Sequence, residues 1–230
     1  MLTDNLTAVR RSIEDTCKNC GRSADDITLV AVSKTKPVSD IMELYEAGWR
    51  DFGENYVQEL REKHDQLPPD IRWHMIGHLQ RNKIKYIAPY VAMIHAVDSL
   101  SLAEAINKEA AKCSRIIPVM IEVNVGGEPT KYGVSPEEAP ALAEAVMKLP
   151  NLAYRGLMTS APFFDDPEKD RVFFRQLKEL GVDIIRKNLN NEKDAGLSMG
   201  MSNDYRIAIE EGATIVRVGT SIFGERHYTK

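Results

Sequence analysis

The sequence has few cysteines, little net charge and no long apolar run, and each shortage argues against a class of protein. Its three cysteines cannot all pair within the chain, which suits a reducing compartment. A net charge of -4 provides no broad basic surface for nucleic acid. No run approaches the roughly 18 apolar residues that cross a membrane, and no signal peptide is visible. We therefore expect a cytoplasmic protein without nucleic-acid or membrane partners.

Two pairs of residues have the spacing of metal ligands but lack the surroundings of a metal site. Cys17 and Cys20 form a C-x-x-C motif inside an amphipathic helical pattern, with no strand before it and no second ligand pair. His74 and His78 lie four apart across the end of a predicted strand, so their side chains point in different directions. We expect no metal or redox centre at either pair.

Length and composition indicate one globular domain over residues 1–230. Hydrophobic residues make up 43% of the chain and charged residues 28%, as in ordinary globular proteins. A domain commonly has about 100–200 residues, but α/β barrels often reach 200–250 as one unit.

A leading helix is predicted at the start of the chain. Its buried face consists of residues at helical spacing, namely Leu6, Val9, Ile13 and Cys17. Thr3 or Asp4 is placed to cap this helix and Gly21 to end it.

After this helix, eight short β-rich runs alternate with helical patterns. The predicted strands are Thr28–Ser33, Asp51–Gly53, Arg72–Ile76, Met93–Ala96, Pro118–Val125, Ala153–Met158, Ala195–Ser198 and Thr214–Val218. Strands separated by helices imply a parallel sheet, and eight such units favour a closed (β/α)₈ TIM barrel. The alternative is an open doubly wound sheet, although no G-x-G-x-x-G follows the first strand.

In a barrel of this kind the chemistry lies at the carboxyl ends of the strands. Val30, Val32 and Lys34 share one face of the first strand. If that face points inward, Lys34 lies at the top of the barrel, where desolvation lowers the pKa of an amine that could attack a carbonyl. The alternative is that the strand ends earlier and Lys34 lies in solvent. Lys36 is expected to be a loop lysine.

The last strand carries a second unusual residue, Arg217. It can point outward between the helices or inward toward a ligand, and it shares its face with Gly219, where something could approach the backbone closely. The spacing leaves both orientations open.

The loops after the last two strands are suited to binding a phosphate. Ser202 is predicted to cap a helix that starts near Asn203, and the backbone N–H groups of Met201 and Ser202 would converge with those of Gly219 and Thr220. The alternative is ordinary helix capping beside a tight turn.

Several motifs together resemble the pyridoxal phosphate homeostasis protein family. They are AVSKTKP, FGENYVQE, WHMIGHLQRNK, GLMTSAP, LSMGMSNDY and VRVGTSIFG. The resemblance extends over nearly the whole chain and is weakest at residues 188–194 and at the carboxyl end. It implies a barrel similar to the N-terminal domain of alanine racemase, with pyridoxal 5′-phosphate (PLP) as cofactor.

The resemblance also implies a set of cofactor-binding residues. Lys34 would form the internal aldimine and Arg217 would meet the pyridine nitrogen, while the other members would hold the phosphate or lie near the ring. The phosphate group comprises Ser202, Gly219, Thr220 and the Met201 backbone, and the ring group comprises Asn55 and Met158. Glu128 and Lys131 match a family feature to which we assign no role.

The function that this resemblance implies is PLP homeostasis without catalytic turnover. A guanidinium only donates hydrogen bonds, so Arg217 would leave the ring nitrogen unprotonated and the cofactor a poor electron sink. We expect a monomer that holds PLP, with PLP-dependent apoenzymes as possible recipients. One alternative is an amino-acid racemase or decarboxylase whose second base is Tyr205, His78 or Tyr132. The other is an aldolase in which Lys34 attacks a sugar phosphate.

Overall fold

Eight parallel strands close into a barrel in the structure, a computed structural model that describes residues 1–162, 164–187 and 195–225. Each strand pairs with the next and the last pairs with the first. Strands β1 to β8 are Thr28–Val32, Asp51–Glu54, Arg72–Met75, Met93–Val97, Ile117–Glu122, Leu152–Met158, Gly196–Ser198 and Ile215–Val218. The predicted (β/α)₈ barrel is confirmed, and the open sheet is wrong.

Helices cover the outside of the barrel, with the leading helix packed against the helices near both ends of the chain. Helices α1 to α8 are Leu2–Asn19, Val38–Glu46, Val57–His64, Leu100–Lys112, Ala139–Met147, Arg171–Lys187, Tyr205–Glu210 and Thr220–Phe223. Three 3₁₀ helices lie at Ala24–Asp26, Arg81–Tyr86 and Pro167–Asp170. Within the described ranges, none of the helices combines the length and apolar character needed to cross a bilayer.

The strands form where the sequence predicts them, with one exception. Seven strands agree with the predicted bounds to within one residue at each end, but β5 ends at Glu122 rather than at Val125. The chain leaves the sheet there because the Asn124 N–H donates to the Val134 carbonyl at 2.9 Å, which starts a loop folded back on itself. The apolar residues that follow Glu122 made the strand look longer in the sequence.

The start of the leading helix also differs from its prediction. Neither Thr3 nor Asp4 is the cap, because α1 begins at Leu2 and both residues lie within its first turn. The Thr3 N–H donates to a carboxylate oxygen of Glu43 on α2 at 3.3 Å, so a neighbouring helix satisfies it. Gly21 follows the helix with a φ of 73° and ends it as predicted.

The barrel interior holds a small apolar cluster, whereas most of the core lies between the strands and the helices. The interior cluster consists of Val30, Ala96, Met120, Met158 and Ile215. Polar side chains occupy the rest of the interior, and they lead to the carboxyl end of the barrel.

Strands β6 and β7 approach each other so closely that only glycine fits at Gly156. Its φ is 110°, and a Cβ at this position would overlap the carbonyl oxygen of Gly196 on β7. A side chain here would have to push two hydrogen-bonded strands apart.

Glu122 brings a carboxyl group into the interior at the end of β5. It shares the inner face of the strand with Met120, is 8% exposed, and has one buried carboxylate oxygen without a hydrogen bond. Burial raises the pKa of Glu122 to about 7, although the positive charge of Arg217 opposes the shift. The group therefore holds its proton over a pH range in which an exposed glutamate is ionised.

We expect Gly156→Ala to destabilise the protein by about 3–5 kcal/mol, because it combines a left-handed backbone with a steric overlap. Gly21→Ala is the matched control, since Gly21 also has a positive φ but nothing lies within 4 Å of its added Cβ. It should cost only about 1 kcal/mol. Equal losses in denaturant-induced unfolding of the two variants would contradict the close approach of β6 and β7.

We expect Glu122→Gln to flatten the pH dependence of the unfolding free energy between pH 5 and pH 8. As pH rises from the ordinary 4.5 toward about 7, the unfolded chain releases this proton while the folded chain keeps it. Stability therefore falls by at most about 1.4 kcal/mol per pH unit. The substitution should remove about 2 kcal/mol of this fall, whereas Glu104→Gln on the exposed face of α4 should leave the profile unchanged.

Candidate functional site

A cavity of about 270 Å³ opens at the carboxyl ends of the strands. Residues from the ends of β1, β2, β7 and β8 contribute to its walls, so it lies where a barrel normally places its chemistry. Seven of the eight residues predicted for a cofactor site line it, and they are Lys34, Asn55, Met201, Ser202, Arg217, Gly219 and Thr220. The eighth, Met158, belongs to the apolar cluster inside the barrel.

Lys34 reaches the cavity from just beyond the end of β1. The strand ends at Val32, one residue earlier than predicted, yet Val32 and Lys34 both line the cavity and Lys34 is half-buried. The alternation of the strand therefore continues far enough for this amine to face the mouth of the barrel. Lys36 instead donates to the carbonyl oxygens of Phe223 and Glu225 at 2.9 and 3.0 Å, as a loop lysine would.

Arg217 points into the barrel, which decides the question that its spacing left open. Its side chain is nearly completely buried, and it donates to the Ser198 hydroxyl at 2.7 Å and to the Thr159 carbonyl at 2.8 Å. Burial lowers the pKa of Arg217 to about 10, against the opposing charges of Glu122 and Asp204. The guanidinium remains positively charged at neutral pH.

A chain of hydrogen bonds continues from Arg217 through the interior of the barrel. The Ser198 hydroxyl lies 2.9 Å from His95 Nδ1, and His95 Nε2 lies 2.9 Å from His74 Nδ1. His74 Nε2 is 3.2 Å from Asp51 Oδ1 at the opposite end of the barrel. These residues belong to β8, β7, β4, β3 and β2, so the chain crosses from one side of the barrel to the other.

The two ends of this hydrogen-bond chain have fixed roles. Burial alone would raise the pKa of Asp51, but hydrogen bonds from Arg72 and His74 lower it to about 2, so its carboxylate accepts from His74 Nε2. At the other end the Arg217 guanidinium donates to Ser198 Oγ. Burial holds the pKa of His95 well below its ordinary value, so its ring is neutral, and one ring nitrogen donates while the other accepts.

The sequence alone did not predict this series of hydrogen bonds from Arg217 to Asp51. The spacing draws attention only to His74 and His78, which are expected to point in different directions, whereas the structure bonds His74 to His95 and places His78 beside Asp98 and Tyr132. In the described ranges no group of three or more metal-ligating side chains comes together. The three cysteines, all described, are free.

The loops after β7 and β8 meet, but Ser202 has a different role from the predicted one. It is not a helix cap, because α7 begins at Tyr205 and Asp204 occupies the cap position. Its hydroxyl instead accepts from the N–H groups of Gly219 and Ser221 at 3.2 and 3.3 Å. The intervening turn delays the helix and brings the hydroxyl to the neighbouring loop.

The other two residues predicted at the phosphate lie beside this contact. The Met201 N–H donates to Asp204 at 2.5 Å, so this donor already has an acceptor. Thr220 is exposed and begins α8. A Cβ at Gly219 would lie 3.3 Å from the Val32 carbonyl oxygen, so glycine keeps this part of the wall close to β1.

A larger cavity of about 560 Å³ adjoins the first and shares Asn55, Ile76 and Ser160 with it. Its walls also carry charged and aromatic side chains, namely His78, Lys83, Glu122, Lys131 and Tyr132. Lys131 pairs with Glu128 at 2.9 Å and donates to the Ala161 carbonyl at 2.9 Å. Of the Glu128–Lys131 feature, Lys131 therefore lines this second cavity, and Glu128 pairs with it.

The three side chains considered as a second base do not lie in the first cavity. The buried Tyr205 hydroxyl donates to Ser12 of α1 at 2.9 Å, on the outside of the barrel. His78 and Tyr132 stack on each other in the second cavity, with ring centroids 4.0 Å apart.

The fold and sequence of this chain match those of known proteins. Residues 5–227 match the family described as alanine racemase, N-terminal domain. An alanine racemase of Clostridium difficile superposes with a TM-score of 0.71 at 17% identity, covering all of this chain and 57% of the racemase. That likeness concerns the fold alone.

Closer relatives match over nearly their whole length. Pyridoxal phosphate homeostasis proteins of Aquifex aeolicus and Pseudomonas aeruginosa are 46% and 41% identical, covering 98% and 99% of this chain and 98% and 96% of theirs. The structure of PipY from Synechococcus elongatus with PLP bound has a TM-score of 0.84 at 32% identity, covering 97% of this chain and 100% of PipY. This chain therefore belongs to the pyridoxal phosphate homeostasis protein family, within the family of the alanine racemase N-terminal domain.

Proposed function

We propose that this protein binds PLP through a Schiff base with Lys34 and acts in the cytoplasm to hold and supply the cofactor, without catalytic turnover. One observation carries the proposal. A half-buried amine, a buried guanidinium and two converging loops line the same cavity at the carboxyl ends of the barrel strands. PLP-dependent apoenzymes are the proposed recipients.

The residues of the cavity fit the chemical groups of PLP. Lys34 would form a C=N bond with the aldehyde carbon, and the aldehyde oxygen would leave as water with two protons. Arg217 offers hydrogen-bond donors to the pyridine nitrogen, and the hydroxyls of Ser202 and Thr220 with the Gly219 backbone would hold the phosphate. When bound, PLP supplies an electrophilic carbon that binds amines reversibly.

Arg217 also limits the chemistry that the site supports. A guanidinium has no acceptor, so the ring nitrogen that meets it has to accept and stays unprotonated. Ser198 and the Thr159 carbonyl each accept a hydrogen bond from this guanidinium, whose pKa is lowered by burial to about 10, so it is still charged at neutral pH. An unprotonated ring stabilises carbanions poorly, which favours holding the cofactor over racemisation or decarboxylation.

The relatives support the same function. Those of 37–46% identity carry the name pyridoxal phosphate homeostasis protein, and PipY is described with PLP bound.

The second cavity provides a route for release of the cofactor. It adjoins the first cavity, and the Tyr132 side chain on its wall is exposed, so an amine from solvent could enter there, reach the bond at Lys34 and replace the lysine.

We expect borohydride reduction of the PLP-loaded protein to fix the label on the peptide that contains Lys34, as peptide mass mapping would show. Lys34→Ala should lose this label and the absorbance of the Schiff base. Lys36→Ala is the control, since Lys36 bonds to the end of α8, and it should keep both. Full labelling of an unrelated surface lysine in Lys34→Ala would refute the assignment.

We expect the loaded protein to turn over a panel of amino acids no faster than free PLP. The reason is the combination of a donor-only contact to the ring nitrogen with the absence of Tyr205, His78 and Tyr132 from the walls of the first cavity. Chiral chromatography and carbon dioxide release would measure racemisation and decarboxylation. A rate that depends on Lys34 would favour the enzymatic alternative.

A further inference from the structure

Both peptide groups that flank Lys34 are held by one pair of side chains on α3. The Ser33 carbonyl accepts from Lys63 Nζ at 2.7 Å, and the Thr35 N–H donates to Glu59 Oε1 at 2.5 Å. Lys63 and Glu59 bond to each other at 2.7 Å, one helical turn apart. The backbone on each side of Lys34 is thus tied to the same ion pair.

The residue after Lys34 has a backbone conformation that needs such support. Thr35 has a φ of 65°, in the left-handed region, which costs a β-branched residue about 1–2 kcal/mol. Its side chain is exposed, so packing does not hold it. Such a conformation persists where the surroundings determine it, and here the bond from the Thr35 N–H to Glu59 does so.

The ion pair continues into a buried network behind the strand end. Lys63 is 5% exposed and also donates to Glu54 Oε1 at 2.8 Å, while the Ser33 hydroxyl donates to the same oxygen at 2.6 Å. Glu54 is completely buried. A buried ammonium is costly unless acceptors surround it, and three acceptors here converge on Lys63 from the residue that follows β1, from β2 and from α3.

We propose that Lys63, Glu59 and Glu54 are positioning residues that aim the Lys34 amine at the cofactor aldehyde, an inference that rests on the proposed function. None of the three lines the cofactor cavity, so they act through the backbone of residues 33–35. Two of them belong to the FGENYVQE motif, which the cofactor contacts otherwise explain only at Asn55. The network sets the direction of the amine, whereas Arg217 and the two loops set the place of the ring and phosphate.

Two ligands separate aiming from binding. PLP carries the aldehyde, whereas pyridoxine 5′-phosphate has an alcohol in its place and cannot form a Schiff base. Glu59→Ala and Lys63→Met should form the Schiff base with PLP about 10- to 100-fold more slowly in stopped-flow absorbance, because misplacement of a reacting group by about 1 Å has effects of this size. Their dissociation constants for pyridoxine 5′-phosphate should stay within about twofold of the unchanged protein, since the phosphate and ring contacts remain.

Glu62→Ala is the matched control, because Glu62 is exposed on the same helix and its carboxylate bonds only to Gln58 in the described structure. It should leave both measurements unchanged. Lys63→Arg, which keeps the cation and its donors, should recover part of the rate lost in Lys63→Met and provides a folded variant if the methionine is not tolerated.

Two results would overturn the inference. One is an unchanged rate of Schiff base formation in Glu59→Ala and Lys63→Met. The other is an equal loss for both ligands, which would indicate a merely structural role. If the unchanged protein itself forms no Schiff base with PLP, the proposed function fails instead, so the two failures are distinguishable.

Discussion

The burial of the Arg217 guanidinium inside the closed barrel is the constraint on which the rest of the site depends. Removing such a cation from water costs several kcal/mol unless hydrogen bonds and opposite charges surround it. Ser198 and the Thr159 carbonyl accept its protons, and Glu122 supplies a nearby acidic group. Ser198 accepts from Arg217, and its hydroxyl also bonds to His95, from which the hydrogen bonds continue through His74 to Asp51.

A second buried cation, Lys63, supports the neighbouring chain segment that follows β1. Arg217 lines the cavity, whereas Lys63 lies outside it and donates to the backbone carbonyl of Ser33, next to Lys34. In the proposed site, Arg217 would contact the ring and Lys63 would orient the amine. Both bond to acceptors from more than one element, so they also join parts of the barrel that are distant in sequence.

The likeness to alanine racemase shows how far a fold determines a function. The barrel is shared at low identity, yet activity depends on the groups placed at the mouth. Here Arg217 presents only hydrogen-bond donors to the cavity, and Tyr205 bonds to the leading helix rather than facing the cavity. A protein that holds and releases PLP needs the reversible bond and the phosphate contacts, and it does not need a strong electron sink.

The sequence by itself determined the barrel, because strand alternation, helical spacing and glycine positions are local properties of the chain. Alternation singled out Lys34 and Arg217 but left open whether each points inward, and local motifs marked the loops of Ser202 and Gly219. It overestimated β5 because Val123 and Val125 read as strand, and it misplaced the cap of α7. Only the tertiary structure decided that His95 bonds to His74 and Ser198, and that Lys63 holds the backbone around Lys34. These contacts join residues 21 to 103 positions apart, and their partners are chosen by barrel closure, which no local pattern encodes.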